Sequence, residues 1–436
     1  MLQTASATFF ILEGRQAMKK ILSLLCMVAA SFAEGQSLAA PASARPSPAE
    51  QNIASKSLTN TPQQYQEFNA LAAALVRRAL ETSDAGYYAQ AEAALKKSLQ
   101  LAPDNFEAEK IRVSILLGEH DFPAALDAAQ TLNRRVPDDV MVYGLLTDAN
   151  MELGNYKDAE TAAQWMLNLR PGNLPALTRA AKLRELFGDA EGAYELMELA
   201  LQSTSPADVE ERASLFTQKG HLKLASGSAD AAEKLLQQAT SLIPNYPSAL
   251  AGLAKIRISR KQYAEAVCLL EQRYQAVPRA ENLYDLAEAL QLEGRQEESK
   301  RAFADFETRS LAESSAKDNS NRELVFYYAD KVRMPVKALE VAKQEFQWRH
   351  DIFTLDAYAW ALHVNGQDAE ARKQIETALA VGIRDASLFR HAGEIAAGMG
   401  DAFAAEGYLK QSGDLSAMGS VQARIPLAGL SPAGKQ

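Results

Sequence analysis

The pattern of this 436-residue chain is set by residues 140–171, VMVYGLLTDANMELGNYKDAETAAQWMLNLRP. Within them, Tyr143, Leu146 and Asn150 lie about one helical turn apart, so they are predicted to share one face of a first helix. Gly154 follows and is predicted to end that helix. The stretch is therefore predicted to begin a hairpin of two short helices.

A second helix follows the glycine and is predicted to end at Pro171, because proline has no N–H for the next intrahelical bond. Alanine and proline recur every 34 residues around this hairpin: Ala91, Ala125, Ala159 and Ala193, with Pro103, Pro137 and Pro171. A small residue such as Ala159 lets two helices cross closely, and a larger one would overpack the crossing by about 1–3 kcal/mol. This period is typical of a solenoid, in which stacked hairpins bury a shared core.

The fixed order of a bulky residue, a small residue, glycine, an aromatic residue, alanine and proline resembles the tetratricopeptide repeat. The resemblance extends from about Leu71 to Leu409 and includes about ten copies, of which the seventh and eighth are faint. It implies an all-α protein. The predicted fold is an α-solenoid of stacked helix-turn-helix tetratricopeptide repeats that form a right-handed superhelix.

The predicted organisation has two blocks of repeats. Residues 64–306 hold about seven repeats, and residues 321–412 hold about three. Between them, residues 307–320 are polar and rich in serine, which predicts a hinge. Residues 40–63 are rich in proline, serine and alanine, which predicts a flexible leader, and residues 413–436 lack periodicity, which predicts a disordered tail.

Residues 18–39 have the pattern of a secretory signal peptide. Lys19 and Lys20 precede an apolar run over residues 21–33, and small residues follow. The run is shorter than the roughly 20 residues that a membrane-spanning helix needs, so no transmembrane span is expected in the mature protein. The predicted location is periplasmic or secreted.

The cleavage site is favoured after Ala39, with Ala33 and Ala44 as alternatives. Met18 is interpreted as the initiator. Residues 1–17 are then an upstream extension that is either untranslated or disordered.

The charge balance bears on possible partners. The chain has 46 lysine and arginine residues against 55 aspartate and glutamate residues, for a net charge of −9. Nucleic-acid binding requires a basic face for phosphate, so this balance predicts no nucleic-acid partner.

Metal and redox sites are not predicted. Cys26 lies in the predicted signal peptide, which leaves Cys268 without a disulfide partner, and Cys268 is predicted to be a buried thiol. The five histidines lie in separate repeats without the spacing of a zinc site. His391 and Glu394 lie one turn apart, which permits a metal contact, but we interpret them as a packed histidine and a surface carboxylate. No cofactor is expected.

Catalytic motifs are also missing from the sequence. It has no G-x-S-x-G, no phosphate-binding glycine loop and no dinucleotide fingerprint, so the protein is predicted not to be an enzyme. The nearest enzymatic alternative is an all-helical toroidal glycosidase. Such an enzyme would need long loops with acidic residues at one end of the barrel, and the predicted loops here are mostly short.

The resemblance implies that the first helices line a concave groove for an extended or helical peptide. Carried over position by position, the candidate partner-binding residues are Lys110, Asp148, Arg179, Lys182, His221 and Lys255. No complete lysine–asparagine clamp for a terminal carboxylate is present. The predicted function is a non-catalytic exported scaffold that binds a protein or peptide. The alternative is a periplasmic repeat component of a polysaccharide or protein export machine at the outer membrane. The sequence identifies neither the partner, nor the pathway, nor the oligomeric state.

Overall fold

Helical hairpins account for almost all of the structure, a computed structural model that describes residues 64–82, 86–314 and 320–417. The predicted upstream extension, signal peptide and leader, within residues 1–63, lie outside the described residues. Most of the predicted tail, from residue 418 onward, also lies outside them. The described residues contain no strand.

Twenty α-helices, all in one unit of the chain, occur in the described residues. They are α1 (Gln64–Thr82), α2 (Gly86–Leu101), α3 (Phe106–Gly118), α4 (Phe122–Arg135), α5 (Val140–Glu152), α6 (Tyr156–Leu169), α7 (Leu174–Leu186), α8 (Ala190–Ser203), α9 (Val209–Ala225), α10 (Ala229–Leu242), α11 (Pro247–Ser259), α12 (Tyr263–Ala276), α13 (Ala280–Glu293), α14 (Gln296–Glu313), α15 (Asn321–Phe326), α16 (Pro335–Glu345), α17 (Ile352–His363), α18 (Asp368–Ala380), α19 (Ala386–Gly398) and α20 (Ala402–Ala417).

Consecutive helices pair into hairpins, from α1–α2 as repeat 1 to α19–α20 as repeat 10. The first helix of a repeat also packs against the first helix of the next, as α3 does on α5 and α5 on α7. This stacking confirms the predicted all-α solenoid. None of the helices in the described part is both long and apolar enough to cross a membrane.

Repeat 3 shows why the sequence folds in this way. Asp139 caps α5, because its side chain accepts a hydrogen bond from the Val142 N–H at 3.0 Å, an arrangement that contributes about 1 kcal/mol. Gly154 has a φ of 74°, which only glycine adopts without strain, and it turns the chain into α6. Ala159 is fully buried on α6, as its role at a close helix crossing requires.

Two helix boundaries and the exposure of one cysteine differ from the sequence-based expectation. Helix α14 continues to Glu313, well into the segment predicted as a hinge. Ser310 in this extension is fully buried, and its hydroxyl lies 2.8 Å from that of Ser320. Helix α20 continues to Ala417, past the predicted start of the tail. Cys268 is exposed, so the prediction of a buried thiol was wrong. It lies on the outer face of α12, where the repeat pattern places no core residue.

The solenoid coils back on itself. The Ile352 N–H donates a hydrogen bond of 2.9 Å to the Tyr156 hydroxyl, 196 residues earlier in the chain. The His350 N–H donates to the Glu152 carbonyl at 3.0 Å. Gly188 lies so close to the Gly382 carbonyl that a side chain would overlap it. The loops after repeats 8 and 9 therefore pack on the turns inside repeats 3 and 4.

The coiling leaves two sets of intra-repeat turns with different surroundings. The turns inside repeats 2 to 4, residues 118–122, 152–156 and 186–190, form the covered edge. The turns inside repeats 8 and 10, residues 332–336 and 399–403, occupy the same place in their hairpins and form the open edge.

Candidate partner-binding site

One position of the first helix holds a charged residue or a histidine in five successive repeats. It lies eleven residues before the small residue of the second helix, such as Ala159 in repeat 3. We call these five residues the inner lane: Asp148, Lys182, His221, Lys255 and Glu288. The prediction named the first four, and Glu288 was missed although the same spacing identifies it.

The inner lane faces later repeats across the inside of the coil. The pKa of Asp385, at the start of α19, is raised to about 6, mainly by burial. Backbone hydrogen bonds from Leu388 and Ser387 oppose the rise, the charge of Asp356 adds to it, and the charge of Lys255 in repeat 6 also opposes it. Glu288 lies 3.1 Å from the Lys331 ammonium of repeat 8. The lane thus interacts electrostatically with the next repeat at Glu288 and with the distant repeat 10 at Lys255.

Asp148 and Arg179 are brought together as a buried, two-pronged ion pair. The Arg179 Nε lies 2.8 Å from the Asp148 Oδ1, and its Nη2 lies 2.6 Å from the Oδ2. Both side chains are only 5% exposed. Burial raises the pKa of Asp148, and the positive charge of Arg179 opposes that rise. The pair joins the first helices of repeats 3 and 4, and breaking it would leave a buried charge unpaired.

The other predicted residues lie in separate repeats. Lys110 is buried, with its Nζ 2.8 Å from Glu107 and 2.9 Å from Asp139. Burial pulls the pKa of Lys110 down, but the hydrogen bonds to Glu107 and Asp139 outweigh it and raise the pKa overall. Lys182 pairs with Glu185 at 3.1 Å. His221 and Lys255 are half-buried. Binding by these residues stays a prediction.

A charged cluster beside the lane was not predicted. The Arg349 Nε, in the loop after repeat 8, lies 3.0 Å from the Glu152 carboxylate. The Glu152 side chain is 29% exposed, and protein surrounds the rest of it. Burial raises the pKa of Glu152 to about 7, helped by the charges of Asp351 and Asp148 and opposed by that of Arg349. The repeat pattern contains no signal for this contact, because its partners belong to different turns of the coil.

His391 is committed to a buried network. Its Nδ1 lies 2.6 Å from the Asp356 carboxylate, and its Nε2 lies 2.7 Å from the Arg390 Nη2. A guanidinium only donates hydrogen bonds, so Nε2 accepts and Nδ1–H donates to Asp356. Both ring nitrogens are therefore used. Across the described residues, no group of three histidine, cysteine or acidic side chains is arranged to hold a metal ion.

The sequence of repeats 5 to 7 agrees with this architecture. Residues 223–290, from the end of α9 to α13, match the family model described as tetratricopeptide repeat. This chain therefore contains tetratricopeptide repeats. Its fold is that of a protein-interaction scaffold, and members of the family are generally non-catalytic. A search of curated proteins finds no match to the chain.

Solved structures with a similar arrangement of helices share little sequence with it. The APC/C hetero-tetramer Cut9–Hcn1 has a TM-score of 0.46 and 13% identity, over 84% of this chain and 58% of that one. The human IFIT1 dimer with PPP-AAAA has a TM-score of 0.46 and 14% identity, over 84% and 94%. A tetratricopeptide repeat protein from Parabacteroides merdae has a TM-score of 0.42 and 16% identity, over 65% and 99%.

Proposed function

We propose that this tetratricopeptide-repeat protein is a non-catalytic exported scaffold that holds a segment of another envelope or secreted protein along the inner lane. The observation that carries this proposal is the lane itself, one charged residue or histidine per repeat over five repeats in a row. A regular ladder of this kind suits an extended or helical segment, which presents its own side chains at regular intervals.

The charges of the lane favour a particular kind of segment. Lys182, His221 and Lys255 are flanked by Asp148 and Glu288. Asp148 is neutralised by Arg179, and Glu288 by Lys331. Lys255 interacts electrostatically with Asp385 but has no carboxylate within ion-pair distance among the described residues, so it can still pair with an acidic side chain of the segment. Acidic side chains in the centre of the bound segment would complement the lane. A protein partner is proposed over nucleic acid because the chain carries a net charge of −9.

Crosslinking in intact cells tests the groove. A photo-crosslinking residue replaces Lys255 in one variant and Lys234 in the other, since Lys234 is an exposed lysine on the second helix of repeat 5. Affinity capture and mass spectrometry then identify what is joined to each. We expect one defined protein from position 255 that position 234 does not give. The same products from both positions would refute groove binding, and products limited to outer-membrane channel components would make the protein part of an export machine.

Export rests on the signal-peptide pattern of residues 18–39 and has its own test. Osmotic shock releases periplasmic proteins, so the protein is expected in the shock fluid or the medium. Recovery of the full-length chain in the cytoplasmic fraction alone would refute export and leave the groove result unaffected.

A further inference from the structure

The open edge exposes large apolar side chains at a repeat position that is otherwise small, polar or charged. The position lies two residues before the small residue of each second helix, and it is exposed in repeats 2 to 10. Its occupants are Pro123, Lys157, Glu191, Asp230, Ala264, Glu297, Val336, Ala369 and Phe403. Val336 is 64% exposed and Phe403 is 90% exposed. Only repeats 8 and 10 place a large hydrophobic side chain of this kind in water.

Other apolar side chains surround these two. Val332 and Met334 are exposed in the turn inside repeat 8, and Met399 is exposed in the turn inside repeat 10. Scattered exposed apolar residues are ordinary, but three in the turn of repeat 8 and two in the turn of repeat 10 suggest an interaction surface.

The turn of repeat 8 has a fixed shape. Arg333 adopts a φ of 54°, an unfavourable value for a residue with a side chain. The turn is held by backbone hydrogen bonds from Val332 to Tyr327 at 3.1 Å and from Met334 to Tyr328 at 2.7 Å. The Asn365 side-chain amide also donates to the Pro335 carbonyl at 2.7 Å and ties the turn to repeat 9. The backbone that carries the apolar side chains therefore has a defined shape before any partner binds.

The same turn carries cations that have no acidic partner. Arg333 and Lys337 are exposed, and neither has a carboxylate within ion-pair distance among the described residues. Lys337 instead lies over the Tyr328 ring, 5.2 Å from its centroid. Arg372 in repeat 9 behaves differently, since it pairs with Glu376 at 2.7 Å. Repeat 8 thus presents positive charge next to exposed apolar side chains in an otherwise acidic protein.

We propose that the open edge docks on the surface of an anionic lipid bilayer. The apolar side chains of both turns insert among the headgroups, and Arg333 and Lys337 contact lipid phosphates. An anionic bilayer matches both features of these turns, since its interface takes up apolar side chains and its phosphates attract nearby cations. Each cation near an anionic membrane contributes about 1 kcal/mol, so the binding is weak, reversible and sensitive to salt.

The test compares full-length variants by co-sedimentation with vesicles of phosphatidylglycerol and phosphatidylcholine. We expect Val336→Glu with Phe403→Glu to lower binding at least tenfold, because charge then replaces the inserted side chains. Arg333→Gln and Lys337→Gln should each lower it about fivefold, which corresponds to about 1 kcal/mol per charge. The control is Ala264→Glu, which adds the same charge at the same repeat position in repeat 6. It should bind like the parent.

Hydrogen exchange locates the contact on the full chain, independently of any other segment that touches lipid. Anionic vesicles should slow exchange in residues 332–337 and 399–403, and pure phosphatidylcholine vesicles should not. Unchanged exchange in both turns, or equal binding by all variants, would overturn the proposal. Light scattering gives a further outcome that would overturn the proposal, namely self-association of the parent that Phe403→Glu abolishes. The apolar side chains would then bind a second copy of the chain. Thermal melting of each variant must match the parent, as expected for exposed positions.

Discussion

The covered edge and the open edge are built from the same part of the repeat but have different surroundings. In repeats 3 and 4 the turns meet backbone from the loops after repeats 8 and 9, so Gly154 lies against His350 and Gly188 against Gly382. In repeat 10 the equivalent Gly400 has no atom within 4 Å of where a side chain would begin. The local conformation is nearly identical, since φ is 74° at Gly154 and 77° at Gly400.

The conformation of a turn and its burial therefore have separate physical causes. Contacts within and between adjacent repeats shape each turn, and these contacts depend on the 34-residue pattern. Whether a turn is buried depends on the superhelical rotation summed over about six repeats, because that rotation decides which later loop packs on it. The following predictions test that separation.

The largest contrast is expected between Gly154→Ala and Gly400→Ala. Alanine at a positive φ costs about 1–2 kcal/mol at either site. At Gly154 the new methyl group would also lie 2.6 Å from the His350 carbonyl oxygen, which adds about 1–3 kcal/mol of overpacking. Calorimetry should therefore show a clearly lower melting temperature for Gly154→Ala. Equal melting temperatures would mean that the two turns of the coil do not pack together in solution.

A second contrast concerns the small residue of the second helix. Ala159 is fully buried in the largest core cluster, whereas its equivalent Ala405 lines an open surface cavity of about 580 Å³ with Leu409 and Gly400. Ala159→Leu should lower the stability by about 1–3 kcal/mol, and Ala405→Leu should lower it less because the cavity receives the added atoms. Thermal melting of both variants provides the measurement. If Ala159→Leu melts like the parent, the register assigned to repeat 3 is wrong.

The pH dependence of stability tests whether the carboxylate of Glu152 is buried at the covered edge. Burial at the covered edge raises the pKa of Glu152 from 4.5 to about 7, so folding favours the protonated acid. The stability that this proton provides is complete below about pH 4.5 and is lost as the pH rises to about 7. Relative to Glu152→Gln, the parent should therefore lose stability across that interval, by about 1.4 kcal/mol per unit of pKa shift.

Glu297 provides the control for this experiment. It is exposed in repeat 7, and a hydrogen bond from Lys300 lowers its pKa below 4.5. Glu297→Gln should consequently show no change relative to the parent between pH 4.5 and 7 in urea unfolding at a series of pH values. A difference in unfolding free energy between Glu152→Gln and the parent that stays constant with pH would show that Glu152 is not buried among other protein groups.

The smallest effect is expected for Lys182→Ala on the inner lane. Lys182 forms a pair with Glu185 three residues later on the same helix, and such pairs contribute about 0.2–0.5 kcal/mol. The melting temperature should stay close to that of the parent, while capture of the partner from cells should fall. Unchanged capture would show that Lys182 does not contact the partner. A large loss of stability would show that the inner lane stabilises the fold.

Much of the candidate site was readable from the sequence, because the repeat period fixes which first-helix residues are equivalent. Asp148, Lys182, His221 and Lys255 were identified in this way, and the same rule extends to Glu288. The pairing of Asp148 with Arg179 was not predicted, although both residues were named. Glu152 and Arg349 were missed altogether, because no local pattern links residues from different turns of a coil.

The sequence by itself determined the hairpins, their number and the residues at each helix crossing, since glycine, alanine and proline act within one or two turns of helix. Tertiary structure decided which turns are covered, which carboxylates are buried and where the apolar residues of repeats 8 and 10 remain in water. Those outcomes depend on small rotations that accumulate from repeat to repeat. No single repeat encodes their sum, so the contacts between Gly154 and His350 and between Gly188 and Gly382 appear only in the folded chain.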